Sequence, residues 1–140
     1  MNVEIDFEEL KRTILLAAKK QGLSEEYVIK NWHINYKINQ NEEFIDILSN
    51  FQKEIKLLNQ AITNNDLLTS IRAIVRAKVY SQLLADFFEK INDDIAQLLW
   101  GDELKDKWPN LPEGYKVPAH YDYEETNKTH SQQIAEMSSS

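Results

Sequence analysis

Cysteine is absent from this 140-residue sequence, which excludes disulfide frameworks, thiolate metal sites and cysteine nucleophiles and fits a reducing compartment. Glycine and proline occur three times each, too few for an all-β protein with many tight turns or for a glycine-rich nucleotide fold. Long apolar runs are missing as well. Stretches such as Ile14 to Ala18 fall far short of the roughly 20 residues that cross a bilayer. The opening MNVEIDFEEL is acidic where an export signal would be basic and then apolar, so a cytoplasmic location is expected. Positive charge is in the minority: 16 basic against 23 acidic residues give a net charge of −7, which disfavours unspecific binding to nucleic acid. A chain of this size is one ordinary domain and can bury a core without covalent staples.

What is present is helical periodicity. Asp6 is a good N-cap, with Glu9 three residues on in a capping-box arrangement. Phe7, Leu10, Ile14 and Ala17 recur on one face of a first helix that ends near Gln21, with Gly22 at the position after the cap. Ser24 starts a second helix, Glu25 to about His33, whose Val28 and Trp32 point inward. From Trp32 to Ile38 apolar and polar residues alternate. With no second strand to pair with, an extended connector or a frayed helix end is expected there. Asn41 is expected to cap a third helix, with Phe44, Leu48, Phe51, Ile55, Leu58 and Ile62 as a heptad seam. After Thr63 to Asp66 a fourth helix runs to about Trp100. Its expected inner side carries Leu67, Ile71, Ile74, Ala77, Leu84, Phe88, Ile91, Ile95 and Leu98, and so short a link makes the pair antiparallel.

The expected fold is therefore all-α: a helical bundle built on a long antiparallel hairpin (about 42–62 and 66–100), with two shorter N-terminal helices and an extended, partly disordered C-terminal tail. The domain division is 1–108 and 109–140. The fourth helix outlasts the third, leaving an apolar stretch near Phe87, Phe88, Ile91, Ile95 and Leu99 that the first two helices or a second copy must cover. Trp100, Trp108 and Tyr115 are expected to strap the following segment onto that end. Residues 124–140 have the composition of a disordered tail.

Local motifs are sparse. AAKKQGLSEEYVIKNW, with Ala18, Gly22, Val28 and Trp32, resembles the core of a helix-turn-helix, although the start of its second helix reads Ser24, Glu25 and Glu26 where base-reading side chains would stand. In layout, a helical corner followed by a helical hairpin and a tail, the chain resembles phage small terminase subunits. That resemblance implies an oligomeric DNA-binding adaptor. Arg72, Arg76 and Lys78 could dock an acidic partner or a phosphate, or pair with glutamates of the first or third helix. Tyr121 and Tyr123, in an aromatic and acidic stretch, suit a linear docking segment. The fourth helix turns acidic at Asp86, Glu89, Asp93 and Asp94, Glu42, Glu43, Asp46 and Glu54 add carboxylates on the third, and scattered surface carboxylates are the norm. His33, His120 and His130 are isolated, the Glu-x-x-His pairs of a di-metal bundle are missing, and no catalytic, cofactor-binding or metal-binding residue is nominated.

The function expected from these features is a non-enzymatic helical protein–protein interaction module: a regulator, adaptor, chaperone or inhibitor. Its partner would be another protein or a second copy in a homo-oligomer, with no membrane and no cofactor involved. The DNA-binding adaptor is the alternative. An acidic mimic of nucleic acid is a third option, resting on net charge alone.

Overall fold

Four α-helices and one 3-10 turn make up the regular structure of residues 4–124, the part described by the computed structural model. They are α1 (Phe7–Lys20), α2 (Glu25–Asn31), α3 (Gln40–Thr63) and α4 (Leu67–Trp100), with the 3-10 turn at Ala119–Tyr121. The protein is all-α among the described residues, and α3 and α4 form the expected long antiparallel pair. Packing divides the chain after Trp108. The first unit contains all four α-helices, and the second, from Pro109, contains the 3-10 turn. The expected disordered tail lies, apart from Glu124, outside the described residues.

Each helix start is set by a side-chain oxygen accepting from otherwise unpaired N–H groups. Asp6 accepts from the Glu8 and Glu9 N–H groups at 3.0 and 3.1 Å, and Ser24 from Tyr27. α1 stops in a Schellman turn, with Leu23 N–H on the Ala18 carbonyl and Gly22 at φ +94°, a conformation natural to glycine. The same turn closes α3, where the Asp66 N–H reaches the Ala61 carbonyl at 2.8 Å and Asn65 takes φ +57°. Asp66 then caps α4 by accepting from both the N–H and the hydroxyl of Thr69.

The cap of α3 is Asn39, not Asn41. Asn41 has a longer-range role: its carbonyl oxygen accepts from Phe7 N–H at 2.7 Å and its amide donates to Asp6 at 3.0 Å. One side chain thereby joins the starts of α1 and α3.

The hairpin seam also differs from the expected one. Phe44, Phe51 and Leu58 face α4, but their seam partners are Ile47, Glu54 and Ala61 rather than Leu48, Ile55 and Ile62. On α4 the buried line is Ser70, Ala73, Ala77, Phe87, Ile91 and Asp94, whereas Leu67, Ile71, Ile74 and Ile95 are exposed. Both rows obey the same seven-residue repeat, and burial alone tells them apart. Small residues at 70, 73 and 77 let the α3 backbone approach closely, so the larger side chains one position on are displaced to the flank.

The main core lies at the open end of the hairpin, away from the α3–α4 turn. Phe7, Ile14 and Ala18 of α1 and Val28 of α2 pack there with Trp32, Ile34, Tyr36, Phe87, Ile91 and Leu104. The rings of Phe7, Phe44, Phe87 and Phe88 meet at centroid distances of 4.9 to 6.1 Å. α1, α2 and the connector thus cover Phe87 and Ile91, although Phe88, Ile95 and Leu99 stay about half exposed. α4 ends at Gly101, where a Cβ would lie 2.6 Å from the Gln97 carbonyl oxygen. The turns that follow bury Leu104, and the Trp108 indole donates to the Leu98 carbonyl. Trp100, in contrast, is 71% exposed and straps nothing.

Candidate interaction surface

The connector of residues 32–38 is the first place where polar groups converge. It contains turns and bends but no strand, and its alternation is nonetheless real: Trp32, Ile34 and Tyr36 are buried while His33, Asn35 and Lys37 are exposed. The alternate side chains plug the end of the bundle. Their backbone needs acceptors once out of water, and Asp94 of α4 supplies them. Its carboxylate is fully buried and accepts from His33 N–H (2.8 Å), Ile34 N–H (2.9 Å) and the Tyr36 hydroxyl (2.7 Å), with His33 Nδ1 at 3.3 Å. Burial, and then the bond to Asp94, pushes the Tyr36 phenol well above its ordinary pKa of 10.0.

Asp94 does not belong to the surface carboxylates after all. A Tyr–Asp–His grouping invites comparison with catalytic constellations, but here the Asp oxygens are taken up by backbone and phenol donors. The groove beside it, lined by His33, Asp93, Gln97, Trp100 and Asp102 among others, has no hydroxyl or thiol nucleophile in its wall. The bonds to Asp94 form a polar clasp that fixes the connector to α4.

The second place is the flank of the hairpin. In antiparallel helices, equivalent heptad positions lie on the same side of the pair. The row after the α3 seam (Leu48, Ile55, Ile62) and the row after the α4 seam (Leu67, Ile74, Phe88) therefore share one side. At the open end α1 sits on it: Phe7 bonds to Asn41 and its ring lies 6.1 Å from that of Phe88. Toward the turn, these residues stand between 42% and 67% exposed. Ile45 and Ile71 widen the strip, and Leu48, Phe51, Gln52 and Ile55 line a shallow groove along it. Its remaining members are Gln52, Asn59, Ser81 and Ala85, and its one charge is Lys78. The opposite side of the same hairpin carries Glu43, Lys53, Arg72, Arg76, Asp86 and Lys90, with Val79 and Leu83 as exposed apolar residues between the charges.

Arg72, Arg76 and Lys78 are all exposed, but they do not form one patch. Arg72 and Arg76 are a turn apart on the charged side, and Lys78 projects from the apolar side. None of the three has an ion-pair partner among the described residues, so the pairing with glutamates of α1 or α3 is not formed. Tyr121 and Tyr123, 65% and 56% exposed, belong to the second unit, where the His120 and Tyr121 rings lie 4.3 Å apart.

Sequence reasoning missed two features of the surface and its support. Asp94 was hidden because a buried aspartate and a solvated one look alike in a helical sequence. The apolar flank was hidden because its residues fit the seam equally well; the signal that could have found it is the double row, since one seam needs only two apolar positions per heptad.

Among the described residues no helix is long and apolar enough to cross a membrane, and no three His, Asp or Glu side chains gather as a metal site would require. Comparison with curated proteins and with solved structures finds no match for this chain. A family model does match, over residues 9–110, from the first turn of α1 to just beyond the turns that follow α4. The chain belongs to that family, the Family of unknown function (DUF6853).

Proposed function

We infer that this protein is a non-enzymatic helical interaction module, a regulator or adaptor that acts by presenting its hairpin to another protein chain. The observation that supports this function is the nearly uncharged apolar side of α3 and α4. Seven large aliphatic residues there, from Ile45 to Ile74, are each at least 42% exposed. Exposed apolar strips of such extent are uncommon on monomers and mark association surfaces. The charged opposite side provides the contrast: a helix pair meant to stand alone in water would carry charge on both flanks.

The DNA-adaptor alternative draws less support. The start of α2 offers Ser24, Glu25 and Glu26 to the solvent, a poor complement to phosphate. Arg72 and Arg76 lie on a different element. Binding to duplex DNA that falls steeply with salt would favour the adaptor.

The decisive experiment is chemical cross-linking of the full-length chain in extract of its own cells, comparing the native sequence with Ile74→Asp and Leu48→Asp. A cross-linked partner, self or other, is expected for the native chain and is expected to be lost from both variants while helical circular dichroism is unchanged. A partner retained equally by all three chains would contradict the interaction-module function.

A further inference from the structure

We propose that the occupant of the apolar hairpin side is a second copy of this chain, docked about a two-fold axis to make a four-helix bundle from two hairpins. The inference rests on the interaction-module function and names its partner.

Three observations carry it. The first is register. The exposed rows repeat every seven residues, in step with the α3–α4 seam, so they are spaced to receive helices of the same repeat. The hairpin itself offers such helices, with the same open length and the same lack of charge.

The second is extent. The large aliphatic side chains of the strip are about half exposed and together offer about 700 Å², most of the roughly 800 Å² that each partner contributes to a stable interface of standard size.

The third is charge. Glu54 is 7% exposed, and its Oε2 is the one buried side-chain oxygen without a hydrogen-bond partner among the described residues. Leaving a buried carboxylate oxygen unmet is costly. The register that brings the Phe44 and Phe87 rings to 5.6 Å puts Glu54 level with Ala77 and Lys78. Lys78 is the single charge on the apolar side. That level is also the middle of the open strip, halfway between Ile45 and Ile62 on α3. A two-fold axis through the middle overlaps the two strips from end to end. It also brings the ammonium group of Lys78 to the level of the partner's Glu54, whose carboxylate, enclosed in the α3–α4 seam of the single chain, turns outward to meet the lysine donor. Each copy then contributes one cation and one anion to an otherwise apolar interface, a self-complementary arrangement that a two-fold contact requires.

The test is the molar mass of the full-length protein by light scattering over a hundredfold range of concentration. It is repeated with Ile74→Asp, which puts a charge into the strip, with Lys78→Glu, which sets like charges at the axis, and with Arg76→Glu on the opposite side as control. The native chain and Arg76→Glu are expected at twice the 16.4 kDa chain mass. Ile74→Asp is expected as a monomer, and Lys78→Glu with dimer affinity weakened at least tenfold, both with native circular dichroism. A native chain that stays monomeric throughout, an assembly larger than two, or a dimer indifferent to Ile74→Asp and Lys78→Glu would overturn the proposal. The cross-linking experiment is read separately: a monomer that captures a different protein through Leu48 and Ile74 overturns the second copy as occupant and leaves the interaction-module function standing.

Discussion

The two ends of the hairpin are built on different principles. At the open end the helices are held by large side chains from six segments, with four phenylalanine rings in mutual contact and a buried carboxylate that satisfies the connector's backbone. Near the α3–α4 turn the helices are held by each other alone, through Ser70, Ala73, Ala77 and Ala61, and their large aliphatic residues face outward. The first end has surplus contacts, and its exposed apolar residues, among them Leu16, Ile38, Phe88, Ile95, Leu99 and Trp100, are spread over several elements and form no continuous strip. The second has free apolar area and few contacts. Placed on one rigid helix pair, the packed end anchors the fold and leaves the other available for association.

The contrast breaks most severely if the anchor is removed. Asp94→Ala strips three donors of their acceptor, two of them backbone N–H groups, and is expected to cost about 3–5 kcal/mol in chemical denaturation, the scale for uncompensated buried polar groups. The same clasp sets an alkaline limit. Because the Tyr36 phenol is held above 10.0 in the folded chain, its contribution is complete below that pH and is lost as pH rises toward the raised folded value. Unfolding at high pH should therefore coincide with a late, cooperative tyrosinate absorbance change that Tyr36→Phe abolishes.

At the other end the expected effect is smaller. Ala77→Leu forces a larger side chain into the close α3–α4 approach and should cost about 1–3 kcal/mol, measured in the same way. Asp6→Ala, which releases both the α1 cap and the bond to Asn41, should lower the thermal midpoint by a modest amount. The bond from Asn41 and the N–H of Glu9 hold the Asp6 carboxyl below its ordinary 3.8. Its contribution is thus present above that pH and disappears as pH falls through the lowered folded value, a loss that thermal melts between pH 5 and 2 can follow. Smallest of all, Ile74→Asp should change the stability of the isolated chain by no more than about 0.5 kcal/mol, as expected for an exposed position. A large loss there would mean that Ile74 already belongs to the core.

Much of the anchor could be foreseen from the sequence, and most of the free side could not. The caps at Asp6 and Ser24, the stop at Gly22 and the end of α4 at Gly101 are local events, written in residues whose chemistry acts within one turn. The α3–α4 seam is a choice between adjacent rows. Ile47 with Glu54 and Leu48 with Ile55 both satisfy the repeat, and apolarity favours the second; the structure takes the first because Ala73 and Ala77 allow a close approach that a hydropathy pattern does not register. The connector's alternation was legible, but its cause was not, since Asp94 lies 60 residues from Ile34. Of the residues singled out on the surface, Arg72 and Arg76 share a side as their spacing requires. Lys78 could be assigned to the apolar side only after the seam was known.

The most direct test of the claim that the uncharged side is covered in solution uses the natural absence of cysteine. Single cysteines placed at Ile74 on the apolar side and at Arg76 on the charged side are both exposed positions in the single chain, and their rates of reaction with a thiol reagent can be followed as protein concentration rises. The cysteine at 74 is expected to become progressively protected while the one at 76 reacts at a constant rate. Equal and concentration-independent rates at both positions would contradict the claim.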